Sequence, residues 1–433
     1  MADPAHPGAI DLADPAFWSL PRDRRLAAFA ALRRRETPVR FGTAPGFHAL
    51  VRHADVRAAS RDPAHFASAP GVTVPEPAAW AKAVFGNSMV NLDGADHAAL
   101  RGVVQRAFTP RLLAVLEERV REIAARAVAE AAREGPRDFV AQIASRVPFE
   151  VICELMGVPE RARAEIARSI DEASQNVGVR RSRLRIPGRG LYGLARLHGM
   201  MAAVARERRR RPTGDLVSAL VGADVDGQTL SARQLGAFFS LLLVAGVETT
   251  RNALAHGLVL LSAHPDQRDL LAADIDRYAD GAVDEIVRHS TPIIQFRRTV
   301  VAERELGGRL FRPGEKVLLL YASANRDEAV FERPDAFDIT RSPNPHVGYG
   351  GGGPHYCLGA HLARLEMTAL FRELLDRPDP ARSVGAPRLV DSSFDNRVRS
   401  LPFAFGTSTG SGCRPGGVSG GAGSPAAGRA RRS

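Results

Sequence analysis

Two long stretches of the chain repeat apolar residues every three or four positions, which is the spacing of one face of an α-helix. The first runs from Arg111 to Arg133 and is rich in Ala, Glu and Arg. The second opens at a capping box, Ser231-Ala-Arg-Gln234, and continues to Ala263, where His264-Pro265 stops it. At a helical rise of ~1.5 Å per residue the second helix would be ~50 Å long. We therefore expect it to cross the middle of the molecule.

Shorter apolar runs flanked by turn residues predict a small amount of β-structure. Val39–Val51 has the pattern of a hairpin, and Arg309–Phe311 and Val317–Tyr321 have that of short strands. A further helix over Phe149–Met156 ends at Gly157-Val-Pro159. The patterning predicts a mainly α-helical fold with a small β region.

Composition divides the chain into one long body and two short flanks. Residues 1–14 form a Pro- and Ala-rich lead that we expect to be flexible, and residues 15–405 are predicted to be one domain. The tail over residues 406–433 consists mostly of Gly, Ser, Ala, Pro and Arg, which predicts disorder. Arg180–Gly190 breaks the helical pattern with Arg, Gly and Pro and is predicted to be a mobile loop.

Overall composition excludes several classes of protein. Of the 433 residues, 45% are apolar and 25% are charged, as in ordinary soluble globular proteins. Three cysteines (Cys153, Cys357 and Cys413) argue against a disulfide framework and for a cytoplasmic location. The polar N-terminus resembles neither a signal peptide nor a membrane anchor, and the longest apolar run, residues 237–247, is too short to span a bilayer.

The net charge of +11 leaves two interpretations open. A basic surface can bind nucleic acid, but aromatic residues are few and no nucleic-acid module is present. An acidic electron-transfer partner fits better, and a solvated surface without a specific partner fits equally well.

The most informative segment is a glycine-rich loop that delivers one cysteine to the start of an apolar, helix-like stretch. It reads His346-Val-Gly-Tyr-Gly-Gly-Gly-Gly-Pro-His355-Tyr-Cys357-Leu-Gly359. Glycines let a backbone approach a flat ligand closely, and a helix N-terminus stabilises a thiolate. A single thiolate ligand to haem iron requires both, so Cys357 is predicted to bind the metal.

Three other interpretations of this loop exist. Gly348–Gly353 satisfies the G-x-G-x-x-G dinucleotide fingerprint, but Ser342-Pro-Asn-Pro345 stands where that motif needs a strand. A zinc site from His355, Cys357 and His361 would lack a second cysteine pair and the usual ligand spacing. Cys357 could also be an inert, buried thiol.

The loop resembles the haem loop of the cytochrome P450 superfamily, whose pattern is an aromatic residue followed by Gly-x-Gly-x-His-x-Cys-x-Gly. The matching residues are Gly351, Gly353, His355, Cys357 and Gly359. Tyr349 departs from the pattern, since it is not Phe and lies one residue further from the cysteine, as in bacterial members similar to the sterol and methyl-branched lipid hydroxylases. The resemblance covers residues 15–405 and implies the P450 fold. It also implies haem b, held between the long central helix and the helix after Cys357.

The long helix carries a second family-like motif, Ala245-Gly-Val-Glu248-Thr249-Thr250. Gly246 would leave room beside the helix for dioxygen, Thr249 can hydrogen-bond oxygen, and Glu248 can feed protons inward through water. The structural alternative is a chance glycine and a threonine bonded back to its own helix. Glu248 and Thr249 are the predicted catalytic residues, with Ala245 and Gly246 against the cofactor.

Glu285-Ile-Val-Arg288 is similar to the family's Glu-x-x-Arg, and residues at this spacing share a helix face and can pair. The resemblance implies a structural role behind the haem. The third member of the network is usually an arginine in the segment before the cysteine loop. Ala336 stands where many members have that arginine, so Arg341 is the candidate.

Four cations are candidates to bind the haem propionates, since these carboxylates need cationic partners. His97 and Arg101 match the family's His-x-x-x-Arg, and His355 belongs to the cysteine loop. Arg298 matches the arginine that follows Glu-x-x-Arg, with Arg297 as a close rival. A lone His or Arg is more often a surface residue, but the order of these four relative to Cys357 is that of the family.

The resemblance implies a monooxygenase that uses O2 to hydroxylate a lipophilic molecule such as a sterol, branched lipid, terpenoid or polyketide. Electrons would come from a ferredoxin and its reductase, and Arg180–Gly190 would be a lid over the substrate channel, although a plain connector is the alternative. The same site could instead perform coupling, desaturation or epoxidation, and a non-catalytic haem-binding protein is a further alternative. The expected walls of the substrate pocket are mostly apolar: Trp80, Val84, Phe85, Met89, Val90, Leu242, Val244, Ile293, Ile294, Gln295, Phe296 and residues 400–403.

Overall fold

The structure, a computed structural model, describes residues 10–43, 46–74, 88–107, 110–174, 188–213, 215–222, 224–225, 228–229 and 232–406. Several expectations lie outside these residues: those for Trp80, Val84 and Phe85, for Ser231 as a helix cap, for most of the lead and for nearly all of the tail. The predicted loop over Arg180–Gly190 also lies outside, apart from its last three residues, which are helical.

Helices make up most of the described chain. Those before the long helix are α1 (Pro15–Trp18), α2 (Arg22–Arg33), α3 (His53–Arg61), α4 (Gly94–Ala107), α5 (Pro110–Glu134), α6 (Arg146–Leu155), α7 (Glu160–Ser174), α8 (Gly188–Arg210) and α9 (Leu216–Val221). The later ones are α10 (Ala232–Ala263), α11 (Pro265–Ala273), α12 (Ile275–Ser290), α13 (Tyr321–Ala324) and α14 (Ala360–Leu375). A 3₁₀ turn at Met89–Asn91 and a π-turn at Val140–Ala144 lie between helices.

In the described part of the chain, the β-structure is one five-stranded sheet with four two-stranded ribbons. The sheet has the order β1 (Val39–Phe41), β2 (Phe47–Leu50), β9 (Lys316–Leu320), β6 (Gln295–Val300) and β3 (Phe66–Ala67). Only the β2–β9 pair is parallel. The ribbons are β4 (Asp224–Val225) with β5 (Gln228–Thr229), β7 (Arg304–Leu306) with β8 (Arg309–Phe311), β10 (Ala381–Ser383) with β13 (Phe403–Phe405), and β11 (Arg388–Leu389) with β12 (Val398–Ser400).

The long helix α10 is the centre of the largest apolar core. It packs against α6, α8, α12 and α14, and it ends at Ala263 as the sequence predicts. Gly257 permits a close approach to two of these helices, because a Cβ there would lie 2.4 Å from Phe371 of α14 and 3.1 Å from Ile286 of α12. The mainly α fold with a small β region is confirmed, and α14 follows the cysteine loop directly.

No helix within the described ranges is both long and apolar enough to cross a membrane.

Candidate active site

The glycine-rich loop is pressed against helix α3, and this contact fixes the position of Cys357. A Cβ on Gly351 would lie 2.4 Å from the Ser60 hydroxyl, so no side chain fits there. Gly353 has φ +78, and a Cβ there would lie 2.5 Å from the Ser60 carbonyl oxygen. The Cys357 amide then donates to the Tyr349 carbonyl at 2.9 Å, which turns the chain into α14.

The surroundings of Cys357 combine accessible surface with crowding by protein atoms. The residue is exposed, yet burial raises the pKa of its thiol, with opposing contributions from the Gly359 N–H and from the charges of Arg101 and Arg364. Protein atoms therefore surround the sulfur, while part of the residue stays accessible to a ligand. A Cβ on Gly359 would have no atom within 4 Å, so this side of the loop is open to a ligand.

The other described cysteine, Cys153, is an ordinary core residue. It is fully buried, and burial raises the pKa of its thiol to about 12. Among the described residues no three His, Cys, Asp or Glu side chains converge as a metal site, so His355, Cys357 and His361 do not form the zinc alternative. The dinucleotide alternative also fails, because Ser342–Pro345 is not a strand.

One face of α10 is left uncovered in the middle of an otherwise buried helix. Ala245 is exposed, and Leu242 and Thr249 are partly exposed. These residues are three and four positions apart and therefore lie on one face. The Thr249 hydroxyl donates to the Ala245 carbonyl at 2.6 Å, which leaves its oxygen lone pairs available to a partner in the open space.

Gly246 packs closely against a neighbouring helix. A Cβ on Gly246 would lie 2.9 Å from Cδ1 of Ile152, on the neighbouring helix α6. The missing side chain therefore makes room for helix packing, and the uncovered position beside it is Ala245. The contact of Gly246 with dioxygen stays a prediction, and the direction of its absent Cβ is toward α6.

Glu248 is buried at 6% exposure and points to a pair of arginines. Its Oε2 accepts a hydrogen bond from Arg251 at 2.5 Å and lies 3.7 Å from Nε of Arg397. Its Oε1 is buried without a partner among the described residues. A buried carboxylate oxygen with an unused lone pair is a place where a water or a proton can be held.

Three of the four predicted propionate ligands lie close together. The His97 and His355 rings are 4.2 Å apart, and His355 Nε2 lies 3.0 Å from the Ser68 hydroxyl and 3.4 Å from Asp93. Arg101 donates to the Tyr356 carbonyl at 2.8 Å. Burial lowers the pKa of His97 to about 4, and the positive charges of His355 and Arg101 add to this effect. The Arg101 guanidinium and the two imidazole rings together suit an anionic ligand, since all three can donate hydrogen bonds to it.

Arg297 and Arg298 differ in what their guanidinium groups contact. Arg297 is bound to the Gly71 carbonyl, with 3.0 Å from Nε and 2.5 Å from Nη2. Arg298 is 3% exposed and makes a single hydrogen bond with described residues, from Nη1 to the Arg297 carbonyl. Burial lowers the pKa of Arg298, and Tyr321 and Asp93 raise it. Arg298 is therefore the arginine with donors left over for a carboxylate.

The Glu285–Arg288 pair is completely buried, and Arg341 joins it. Arg288 donates to both carboxylate oxygens of Glu285, at 2.7 and 2.8 Å. Arg341 Nε lies 3.3 Å from Glu285 Oε2. Further Arg288 donors hold the carbonyls of Asn325, Pro334 and Ala336, so the pair fixes the segment that leads into the cysteine loop. Ala336 lacks the arginine side chain found there in many family members, but its carbonyl accepts a hydrogen bond from Arg288.

Comparison with known proteins agrees with this geometry. The family model for cytochrome P450 matches residues 195–378. The methyl-branched lipid omega-hydroxylase of Mycobacterium tuberculosis is 40% identical over 409 residues, which are 92% of this chain and 94% of that protein. The steroid C26-monooxygenase of Rhodococcus jostii is also 40% identical, over 75% of this chain and 67% of that protein. The chain belongs to the cytochrome P450 family.

A solved structure shows the same relation in three dimensions. A Mycobacterium marinum P450 in complex with pseudoionone has a TM-score of 0.84 and 40% identity, over 92% of this chain and 98% of that one. The chain is therefore a P450 monooxygenase, an enzyme that uses haem, O2, redox partners and a hydrophobic substrate.

The residues of the site fit a haem. A cysteine at a helix N-terminus, the neighbouring donors of His97, Arg101 and His355, and a buried arginine with free donors match an iron porphyrin that carries two carboxylates. The open space beside Gly359 and the uncovered face of α10 at Ala245 leave room for the flat porphyrin ring. Cys357, His97, Arg101, Arg298 and His355 are the residues that would hold it.

Four contributors to the site were missed by the sequence analysis. Arg251 could have been found, since it lies three residues after Glu248 on the same helix. Arg397 comes from a distant segment, and no local pattern connects it to Glu248. The same holds for Asp93 beside His355. Arg364 stacks over the Tyr349 ring at 4.5 Å, a pairing that no motif indicates.

The residues expected to form the apolar walls of the substrate pocket do not all belong to the same part of the core. Ile293 and Phe296 are half-buried and pack with the sheet, whereas Ile294 is 1% exposed within the core between α2 and the sheet. Residues alternate across a strand-like segment, so Ile294 faces away from its neighbours. The expectation that Ile294 lines the substrate pocket is wrong.

Proposed function

We propose that this P450 hydroxylates a terminal carbon of a methyl-branched aliphatic chain, carried by a lipid or by a steroid side chain. The observation that supports this most is the 40% identity over 92% of the chain to a methyl-branched lipid omega-hydroxylase. A second set of relatives, the steroid C26-monooxygenases, supports the wider class of substrate. The half-buried apolar side chains of Leu242, Ile293 and Phe296 are compatible with such a substrate.

Haem b is the proposed cofactor, and Cys357 is its proposed iron ligand. The haem, when bound, supplies the iron on which dioxygen is reduced and a C–H bond is hydroxylated. The Gly359 N–H and the charge of Arg101 favour the thiolate form of Cys357 and offset part of the cost of burying it. His97, Arg101, Arg298 and His355 hold the propionates.

Glu248 and Thr249 deliver protons to the site of oxygen reduction. Thr249 presents its hydroxyl on the uncovered face of α10, and its bond to the Ala245 carbonyl fixes the direction of that hydroxyl. Glu248 Oε1 holds a proton or a water on the buried side of the same turn. Arg251 and Arg397 are positioning residues, because they bind the other carboxylate oxygen and so fix the orientation of the carboxylate.

Electrons come, in this proposal, from a ferredoxin and its reductase, and the enzyme works in the cytoplasm. The net charge of +11 supports an acidic protein partner of the ferredoxin type. Cys153 and Cys357 are both free thiols, which supports a reducing compartment.

The test uses the haem-loaded enzyme with a ferredoxin, its reductase and NAD(P)H. Three substrates are compared: a methyl-branched fatty acid, its straight-chain isomer, and a steroid with a branched side chain. We expect the branched substrates to shift the haem to high spin and to give terminal alcohols by mass spectrometry. Oxygen inserted in mid-chain, a desaturated or coupled product, or no spin-state shift with any of the three would contradict the proposal.

A further inference from the structure

A second cluster of cations lies outside the haem site, around a small cavity between the start of α2, the end of α12 and the segment after α13. We call it the arginine cavity. Its polar lining consists of Arg22, Arg25, Ser290, Thr291, Arg326 and Asn396. Apolar side chains of α2, including Leu26 and Phe29, close it on one side. None of these residues belongs to the site described above.

Two polar side chains of this lining carry a buried atom without a hydrogen-bond partner among the described residues. Arg25 is 9% exposed, and its Nε is buried and unpartnered. Ser290 is 1% exposed, and its hydroxyl is likewise buried and unpartnered. Buried donors of this kind cost free energy unless a bound species accepts from them. The lining therefore offers donors to a missing acceptor.

Arg22 repels both of the other arginines. Burial lowers the pKa of Arg22 to about 10, and the charge of Arg25 adds to this effect. Burial also lowers the pKa of Arg326 to about 9, and the charges of Arg22 and Arg288 add to it. Like charges are thus gathered in a desolvated place, which is unfavourable unless a negative charge joins them.

The nearby carboxylates do not supply that charge inside the cavity. Asp335 lies 3.2 Å from Arg326 Nε, but its side chain is 82% exposed, so solvent screens the pair. Asp391 acts on Arg25 from an exposed position and accepts a hydrogen bond from Ser19. Neither carboxylate is part of the cavity lining.

We propose that the arginine cavity binds a small monovalent inorganic anion of the size of chloride. The cavity has room for about one water-sized species, which is too little for sulfate or phosphate. A water molecule would fill the space but would bring no charge and would need acceptors for its own protons. An anion accepts from Arg25 Nε and the Ser290 hydroxyl and relieves the repulsion between the arginines.

The direct test is crystallography of the haem-loaded enzyme grown with bromide as the only halide. Data at the bromine absorption edge should show an anomalous peak between Arg22, Arg25 and Arg326. The peak should be absent in Arg25→Met. Arg33→Met is the matched control, because Arg33 lies on the same helix with the same 9% exposure but is paired with Glu328. That variant should keep the peak.

A solution measurement shows whether chloride stabilises the native protein. Urea unfolding is followed in sodium chloride and in sodium gluconate at one ionic strength, since gluconate is too large for the cavity. The wild-type midpoint should rise with chloride and saturate, as binding to the native state requires. Arg25→Met should lose this rise, and in gluconate it should be at least as stable as the wild type because one of the repelling charges is gone.

Arg25→Lys keeps the charge without the fork of donors and provides a second variant if Arg25→Met does not fold. It should need at least tenfold more chloride for the same rise in midpoint. The proposal is overturned if wild-type crystals show no anomalous peak in the cavity, or if chloride and gluconate give the same midpoints. Both readouts are independent of catalysis, so they do not depend on the proposed function.

Discussion

The buried Glu285 carboxylate offers the sharpest test of how the fold supports the cysteine loop. It is 0% exposed and accepts from Arg288 through both oxygens. It also accepts from the Asp338 amide at 3.0 Å and from the Asn344 side chain at 3.1 Å, with Arg341 at 3.3 Å. Replacing it by Gln keeps the shape but removes the charge that compensates two arginines.

We expect Glu285→Gln to lower the free energy of unfolding by about 3–5 kcal/mol, because it leaves the Arg288 charge buried and uncompensated. The control is Glu117→Gln, which breaks an exposed pair with Arg121 on α5 and should cost about 0.3–0.5 kcal/mol. Urea unfolding is followed by far-ultraviolet circular dichroism and by haem absorbance. Loss of haem before loss of helix would place the damage in the cysteine loop.

The double variant Glu285→Gln/Arg288→Met separates charge from contact. It removes the uncompensated cation, so it should recover part of the stability that Glu285→Gln loses. A single variant within about 1 kcal/mol of the wild type would refute the reasoning. So would a double variant less stable than the single one, because the buried charge would then not be the source of the cost.

Three further predictions address the proton pathway, the pH range and the core. Thr249→Ala should keep the haem spectrum and substrate binding but lower product formed per NAD(P)H consumed by about a hundredfold, the lower end of the range for a lost proton-transfer group; unchanged coupling would remove Thr249 from proton delivery. Burial lowers the pKa of His256 to about 4, with a further contribution from Arg22, so its native form is neutral. The unfolded state therefore takes up the proton first, and stability should be lost as pH falls from 6.5 to about 4, by at most about 3 kcal/mol; His256→Gln should flatten that slope in acid titrations, and an unchanged slope would contradict the assignment. Gly257→Ala should lower the free energy of unfolding by about 1–3 kcal/mol, because the new Cβ meets Phe371. Gly199→Ala should raise it by up to about 1 kcal/mol in the same urea assay, because Gly199 is exposed in α8 with no atom within 4 Å of the new Cβ. Equal effects of the two substitutions would show that packing at Gly257 does not determine the change in stability.

Local patterns predicted the elements well because each depends on residues close in sequence. The span of α10 follows from its apolar run and from the His264-Pro265 stop, and the hairpin of β1 and β2 follows from alternation. The cysteine loop was found for the same reason, since its glycines, His355 and Cys357 are contiguous. What these patterns cannot give is the direction of a side chain.

The remaining features of the site depend on the orientation of side chains and on contacts between residues far apart in the sequence. Gly246 was expected to open space for a ligand, but the helix rotation aims it at Ile152, and nothing in a single helix reveals that neighbour. Ile294 has the same apolar character as Ile293, and only the strand geometry separates them. Arg397 reaches Glu248 from 149 residues away in the chain. The arginine cavity likewise joins three segments whose charges look unremarkable one at a time.

The central claim is that Cys357 ligates haem as a thiolate. The measurement is the absorbance spectrum of the purified, haem-supplied enzyme, reduced with dithionite under carbon monoxide. Wild type and Cys153→Ser should give a Soret band at ~450 nm, as thiolate ligation requires, and Cys357→His should give one at ~420 nm. A wild-type band at ~420 nm alone, or a band at ~450 nm that persists in Cys357→His, would contradict the account.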